Sequence, residues 1–497
     1  MAEATHRASL AATAEEPQLV RGLGLLDATM IVMGSMIGSG IFIVSADIAR
    51  QVPSPGGLLL VWLLTAFLTI VGALSFGELA AMMPRAGGTY VYLREAFGPL
   101  TGFLYGWTIF LVIGSATIAA VAIAFAKFAG VFWPTISADH VLLAFGTLPL
   151  IGKPMVLHTQ NLLAIASIAL LTWVNCRGIR TGAIVQNLFT IAKVGAVVGL
   201  VALGLTLGRN ATAIQTNFTD FWRNLSWDLG TFTALAVAMV GSLFASFAWE
   251  NVTFTAGETR NPSRNIPLSL LLGAGGVMVL YLLANVVYLV TLPLEGRPLA
   301  ADPLERGIQY ATEDRVGAAA GEVILGGLGA YLMAGAILIS TFGCNNGLIL
   351  SYARVSFAMA RDRLFFARLG KLNPRTHSPN FALTMQGVWA SFLTLTGTYT
   401  DLLDYIIFAV LLFYIVAIAA VFVLRWKRPD LPRPYRAFGY PVLPVLYIAF
   451  SIFVEVCLLL YKPRYTWPGL IIVLLGVPVY LLWRRRSDAR GAAAGSA

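Results

Sequence analysis

The stretch Gly34-Ser35-Met36-Ile37-Gly38-Ser39-Gly40-Ile41-Phe42 lies inside an apolar run that extends over residues 26–50. It holds three glycines, and each costs about 1 kcal/mol relative to alanine in a helix interior. A helix built on this run is therefore expected to come undone near its middle. A second apolar run, 231–257, contains Ala245-Ser246-Phe247-Ala248-Trp249-Glu250-Asn251. That sets an acid and an amide at a depth where lipid tolerates neither cheaply.

The rest of the chain explains why these runs are read as membrane crossings. Of 497 residues, 58% are hydrophobic and only 12% are charged, against about 25% charged in a soluble domain. A crossing needs about 20 apolar residues. Twelve runs meet that rule: 26–50, 57–83, 98–132, 157–176, 183–208, 231–257, 268–292, 322–353, 380–398, 402–425, 441–461 and 466–484. Their length and lack of two-residue alternation favour helices over barrel strands. The expected fold is an all-α polytopic membrane protein with twelve transmembrane helices.

Basic residues are spread among the short loops, so the net charge of +10 points to orientation in a bilayer and not to nucleic acid. With the amino terminus inside, Arg85, Arg177, Arg260 and the sets at 354–375, 425–436 and 484–490 face the cytoplasm. Arg50, Arg209, Arg297 and Arg306 are among the fewer on the other side. Both termini are thus expected in the cytoplasm of a multi-pass cell-membrane protein. Residues 1–21 carry Glu15 and Glu16 without an apolar core, unlike a cleaved signal. Three cysteines, Cys176, Cys344 and Cys457, each sit in or at the edge of an apolar run and offer no external disulfide.

The two interrupted runs lie five crossings apart. A repeat of odd length enters the membrane in opposite senses in its two copies, so the halves are expected to be inverted. Paired broken helices at matching positions point to a transporter site near the midplane. The expected organisation is a cytoplasmic tail over 1–22, a first repeat over 23–208 and a second over 231–425. Two additional helices within 441–484 and a cytoplasmic tail over 485–497 follow.

At these residues the chain resembles the amino acid-polyamine-organocation superfamily, most closely its L-type amino acid transporter branch. The resemblance rests on Gly38-Ser39-Gly40-Ile41-Phe42, on Phe244-Ala245-Ser246-Phe247-Ala248-Trp249 and on Gly257-Glu258-Thr259-Arg260-Asn261-Pro262. Pro84-Arg85-Ala86-Gly87-Gly88, the segment Gln186 to Lys193 and Ala360-Arg361-Asp362-Arg363 add to it. It implies a LeuT-like 5+5 inverted repeat and secondary transport of an amino acid by alternating access.

An amino acid brings a carboxylate and an ammonium, and burying either without partners costs several kcal/mol. A half-helix beginning at Gly40 offers free N–H groups and a positive dipole end to the carboxylate. Gly38 and Gly40 allow close approach to the main chain, and Ser39 adds a hydroxyl. The competing reading is that Gly34, Gly38 and Gly40 permit close helix packing. For the ammonium, the resemblance implies carbonyls around Phe244, Ala245 and Phe247, helped by Ile37, with Phe244 as an aromatic gate.

Lys193 lies within the apolar segment 188–207, where an unpaired ammonium costs at least about 3 kcal/mol. The resemblance implies that it stands in for a sodium ion, bridging the broken first run and the eighth near Ser340, so that transport is sodium-independent. Glu250 leaves three readings open: proton coupling, contact with a cationic substrate, or a structural hydrogen bond. Glu78 and Glu258 are expected to pair near Arg85 and Arg260, and Lys127 to snorkel outward. Glu455, in the eleventh run, has no role in this scheme.

Tyr281, Asn285 and Tyr288 share one face of the seventh run, with Asn285 the candidate for the substrate path. Gly114, Ser115 and Ile118, with the face around Tyr405 and Phe408, are candidates for the side-chain pocket. Small apolar lining favours neutral amino acids, by exchange or proton coupling. A cationic amino acid or amine antiporter using Glu250, and a transporter-fold sensor, are the alternatives.

His6, His140, His158 and His377 do not cluster, and no nucleophile motif occurs, so no metal, cofactor or enzymatic chemistry is expected. An inverted repeat in one chain also fits a symmetric channel poorly. The expected partners are the amino acid and the lipid bilayer. In animal heterodimeric members a cysteine after the third run joins a glycoprotein. Residues 132–157 contain none, so no such disulfide-linked partner is expected. Asn210, Asn217 and Asn224 begin external sequons.

Overall fold

In a computed structural model of the chain, residues 19–147, 154–396 and 399–495 are described. Helices dominate. The first run forms α1 (Leu25–Met36) and α2 (Gly40–Gln51), bent by 40° at a break over 37–39. The second and third runs form α3 (Pro55–Met82) and, after the short α4 (Thr89–Phe97), the span α5 (Pro99–Ala129). The fourth and fifth form α6 (Thr159–Cys176) and α7 (Ile179–Thr206), with a surface helix α8 (Ala211–Phe218) beyond.

The sixth run forms α9 (Leu229–Ser246) and the single turn α10 (Asn251–Phe254). The seventh forms α11 (Pro262–Thr291), followed by α12 (Pro303–Arg306) and α13 (Val316–Leu325). The eighth to twelfth form α14 (Gly327–Arg361), α15 (Asn380–Leu393), α16 (Tyr399–Lys427), α17 (Val442–Tyr461) and α18 (Pro463–Gly495).

Among the described residues, 10 helices are long and apolar enough to cross a bilayer, or 11 when α1 and α2 count as one bent span. The ninth run supplies the shorter α15, of 14 residues. One departure from an all-helical chain is a two-stranded antiparallel hairpin, β1 (Val141–Thr147) and β2 (Pro154–His158), between α5 and α6. Val-Leu-Leu-Ala-Phe is a strand-forming composition too short to cross. The fourth helix consequently starts at Thr159 and not at 157, with the Asn161 side chain accepting from the His158 N–H at 2.9 Å.

Both expected breaks are present. α1 ends at Ile37 in extended geometry. α9 ends at Phe247, also extended, and Ala248 then adopts φ +70°, a left-handed conformation that an L-residue with a Cβ resists. A third irregularity lies in α5, where Ile109–Ile113 forms a π turn.

One end of the helix bundle is tied together by the short motifs. The N–H of Leu23 donates to the Glu258 carbonyl at 3.0 Å, and that of Arg260 to the Leu23 carbonyl at 2.8 Å. Gly87 N–H donates to the Phe254 carbonyl at 3.1 Å, and Gly88, at φ +42°, lies so close to Thr253 that no side chain would fit. Asp362 accepts from Tyr90 at 2.8 Å and pairs with Arg94.

The carboxylates expected beside Arg85 and Arg260 take other partners. Glu258 pairs with Arg354 at 2.8 Å, both side chains being buried. Glu78 pairs with Arg425 at 2.6 Å and accepts the Ala437 N–H at 2.7 Å. Arg85 instead reaches Glu95, and Lys127 pairs with Glu313 at 3.3 Å. Helix ends distant in sequence converge here, so near neighbours in the chain are not the nearest partners.

Candidate functional site

Breaking α1 frees main-chain carbonyls that lipid cannot satisfy. Every carbonyl from Gly34 to Gly38 has a side-chain donor. Lys193 donates to Gly34 and, at 2.8 Å, to Ile37. Cys344 reaches Ser35 at 3.1 Å, and the Tyr281 hydroxyl reaches Met36 at 3.0 Å. Ser340 donates to Ile37 and Gly38, each at 3.1 Å. Three helices, α7, α11 and α14, thus hold one break open. The N–H groups of Gly40 and Ile41, in the first turn of α2, have no acceptor among the described residues.

Lys193 is 1% exposed and also reaches the Ser340 carbonyl at 3.3 Å. Its contacts thus reach the first run at Gly34 and Ile37 and the eighth at the main-chain oxygen of Ser340, not at its hydroxyl. The carbonyl of Ile37 is engaged by both Lys193 and Ser340, so it faces the protein's own cation.

On the sixth-run side, the Tyr281 hydroxyl lies 3.2 Å from the Ala245 carbonyl as well as 3.0 Å from that of Met36. One phenol therefore spans both breaks. Phe244 and Phe247 pack together, ring centroids 5.4 Å apart. A Cβ built on Gly40 would meet that of Ala245 at 2.6 Å, and one on Gly38 would meet the Cys344 sulfur at 3.3 Å. Gly34 has no room for a side chain beside Gln186 and Thr190. At all three glycines the neighbours stand closer than a side chain would allow without displacing them, the close packing named as the competing reading.

Glu250 is buried and accepts from Thr89 at 2.6 Å and Tyr105 at 3.2 Å. Its carboxyl joins the sixth-run break to α4 and α5. Neither donor was singled out from the sequence, because both lie some 150 residues away without a distinctive motif. Trp249 packs edge-on against Phe76 at 4.8 Å and beside Tyr414 at 5.0 Å. Next to this break is a cavity of about 20 Å³, lined by Thr69, Ser246, Phe247, Trp249, Tyr414 and Tyr447 among others. That is room for a water molecule and not for an amino acid.

The remaining candidates fall into two groups. Ser115 donates to the Phe110 carbonyl, in the π turn, at 2.6 Å, and Gly114 lies against Tyr352. Ile118 is buried. Asn285 accepts from Ser45 at 2.6 Å and Tyr288 donates to the Ile41 carbonyl at 3.2 Å, so this face of α11 grips α2. Phe408 is buried, whereas the side chain of Tyr405 lies outside the described residues.

Two broken helices facing each other, their main-chain groups held by side chains of flanking spans, define a membrane transport protein of the broken-helix kind. The chain belongs to the amino acid permease family, whose model matches residues 23–481. It is 31% identical to the large neutral amino acids transporter small subunit 2 of Homo sapiens, over 93% of this chain and 80% of that protein. It is 30% identical to the serine/threonine exchanger SteT of Bacillus subtilis (strain 168), over 95% and 99%. With the b(0,+)-type amino acid transporter 1 of Mus musculus it shares 28% over 97% and 91%. These relatives are transporters and not enzymes, in keeping with the superfamily resemblance.

Proposed function

We propose that the chain carries neutral amino acids across the cell membrane by alternating access, without sodium, as twelve spans in two inverted sets of five plus two. Both termini lie in the cytoplasm, and the chain works without a disulfide-linked partner. The substrate carboxylate meets the N–H groups at Gly40 with Ser39 and Gly38 beside it, and the ammonium meets carbonyls of Phe244 and Phe247. Phe244 closes over the ligand.

The observation that carries this reading is the ammonium of Lys193 set among the Gly34, Ile37 and Ser340 carbonyls. A fixed cation between a broken helix and its neighbour removes the need for a bound one. Contact between Gly40 and Ala245, with only a water-sized cavity alongside, supports a closed state between outward and inward forms. The hydroxyls on Glu250 favour its structural role over contact with a cationic substrate.

The test uses purified protein in liposomes, preloaded with unlabelled amino acid and offered a labelled panel in choline buffer. Counterflow of neutral amino acids at the same rate in choline and sodium is expected. Flux that needs sodium, or no flux with any of the panel, contradicts the reading.

A further inference from the structure

Glu455 sits on α17, outside the paired breaks, and the scheme above does not use it. Its side chain is 6% exposed, and both carboxyl oxygens lack a hydrogen-bond partner. It lies beside the main chain of Leu412 on α16. We propose that Glu455 is a proton-binding site, loaded and unloaded during transport and linked by hydroxyls and a water-sized cavity to the sixth-run break. This rests on the transport reading and adds a driving ion to it.

The first support is what surrounds the carboxyl. α17 packs against α16, α9, α3 and α18. α9 carries no titratable side chain. On α3, Glu78 is bound by Arg425. On α16, the described titratable groups are Tyr414, Arg425 and Lys427, and Lys427 donates to the Ala96 carbonyl at 3.1 Å. Among its described side chains, α18 offers Tyr480, packed on Phe103, and Arg484 at the end of the apolar span 466–484. Among the described residues, no cation pairs with Glu455.

A lone carboxylate in such a place is costly, and a proton is the smallest ligand that removes its charge. A divalent metal needs several oxygens, and no group of three or more His, Cys, Asp or Glu side chains able to hold one occurs among the described residues.

The second support is connectivity. Tyr447, Ser451 and Glu455 follow at i, i+4 and i+8, one above the next on the buried face of α17. Ser451 and, across the interface, Tyr414 also have hydroxyls without a close hydrogen-bond partner, Ser451 facing Tyr447 and Tyr414 facing the carboxyl of Glu250. Native interiors rarely leave such a run of buried polar groups unmet unless water serves them. Tyr447 and Tyr414 both line the cavity, whose other wall is Ser246, Phe247 and Trp249. The row therefore leads from the carboxyl to the residues that must move when the sixth-run break opens. The step is acid–base only: a carboxylate oxygen takes a proton from cavity water and later returns it.

The experiment compares wild type and Glu455→Gln in sodium-free liposomes, with exchange measured at equal pH and accumulation under an outside-acid gradient. Wild type is expected to accumulate its substrate, and a protonophore to abolish this. Glu455→Gln should keep exchange, which moves no net proton, and lose accumulation by about tenfold or more. Ser451→Ala, which leaves the carboxyl in place, should slow accumulation without changing exchange. Accumulation by Glu455→Gln equal to wild type overturns the proposal. So does a wild type that exchanges amino acids but ignores the pH gradient. A wild type that does neither overturns the transport reading as well.

Discussion

The ammonium of Lys193 donates to the carbonyl of Ile37 at 2.8 Å, across 156 residues of sequence. That bond ties α7 to the break in the first run, and the Gly34 carbonyl shares the same donor. Replacing Lys193 by Met keeps the stem and removes the donor. Each buried carbonyl left unmet costs about 1–3 kcal/mol. Lys193→Met is expected to lower the melting temperature in detergent and to reduce counterflow at least about tenfold. Wild-type flux and melting in that variant would contradict the assignment.

Ala248 holds φ +70° in the sixth-run break. The left-handed conformation costs a residue with a Cβ about 1–2 kcal/mol, partly offset by the greater unfolded-state freedom of glycine. Ala248→Gly is expected to stabilise the protein by about 0.5–1 kcal/mol, and Ala248→Val to destabilise it. Thermal unfolding of the two variants checks the order, and a stabilising valine would refute it.

How far the sequence reached is best judged at these breaks. Glycine density over 34–40 and the acid and amide at 250 and 251 located both interruptions, because helix cost and lipid cost are local properties. Lys193 was legible for the same reason: a charge amid apolar residues demands a partner. The partners themselves were harder to see. Tyr281 bridges the two breaks, and Thr89 and Tyr105 hold Glu250, through contacts that depend on how helices far apart in the chain come to lie side by side. Glu258 and Glu78 found Arg354 and Arg425 for that reason too.

Arg354 and Glu258 are both 1% exposed. Removing one member of a buried pair strands the other charge at about 3–5 kcal/mol, whereas replacing both by apolar groups is often neutral. Arg354→Met is expected to be strongly destabilised, and Arg354→Met with Glu258→Leu to recover most of the loss. Unfolding temperatures of the single and double variants measure this. Equal loss in both would contradict the pairing.

Glu250 is held by two hydroxyls and is assigned a structural role. Glu250→Gln keeps one carbonyl acceptor for Thr89. Its transport rate is expected to stay within about threefold of wild type, since one neutral hydrogen bond is worth about 0.5–1.5 kcal/mol. The pH profile should be that of wild type. A profile altered by this substitution alone would give Glu250 a proton-coupling role instead.

Binding at the contact between the two breaks tests the account most directly. Gly40→Val fills the space beside Ala245 where the substrate carboxylate is proposed to bind, while the melting temperature of the variant reports whether it still folds. Saturable binding of a labelled neutral amino acid to purified wild type in sodium-free buffer is expected, with none to a folded Gly40→Val. Wild-type binding by that variant, or binding by wild type only when sodium is added, would contradict it.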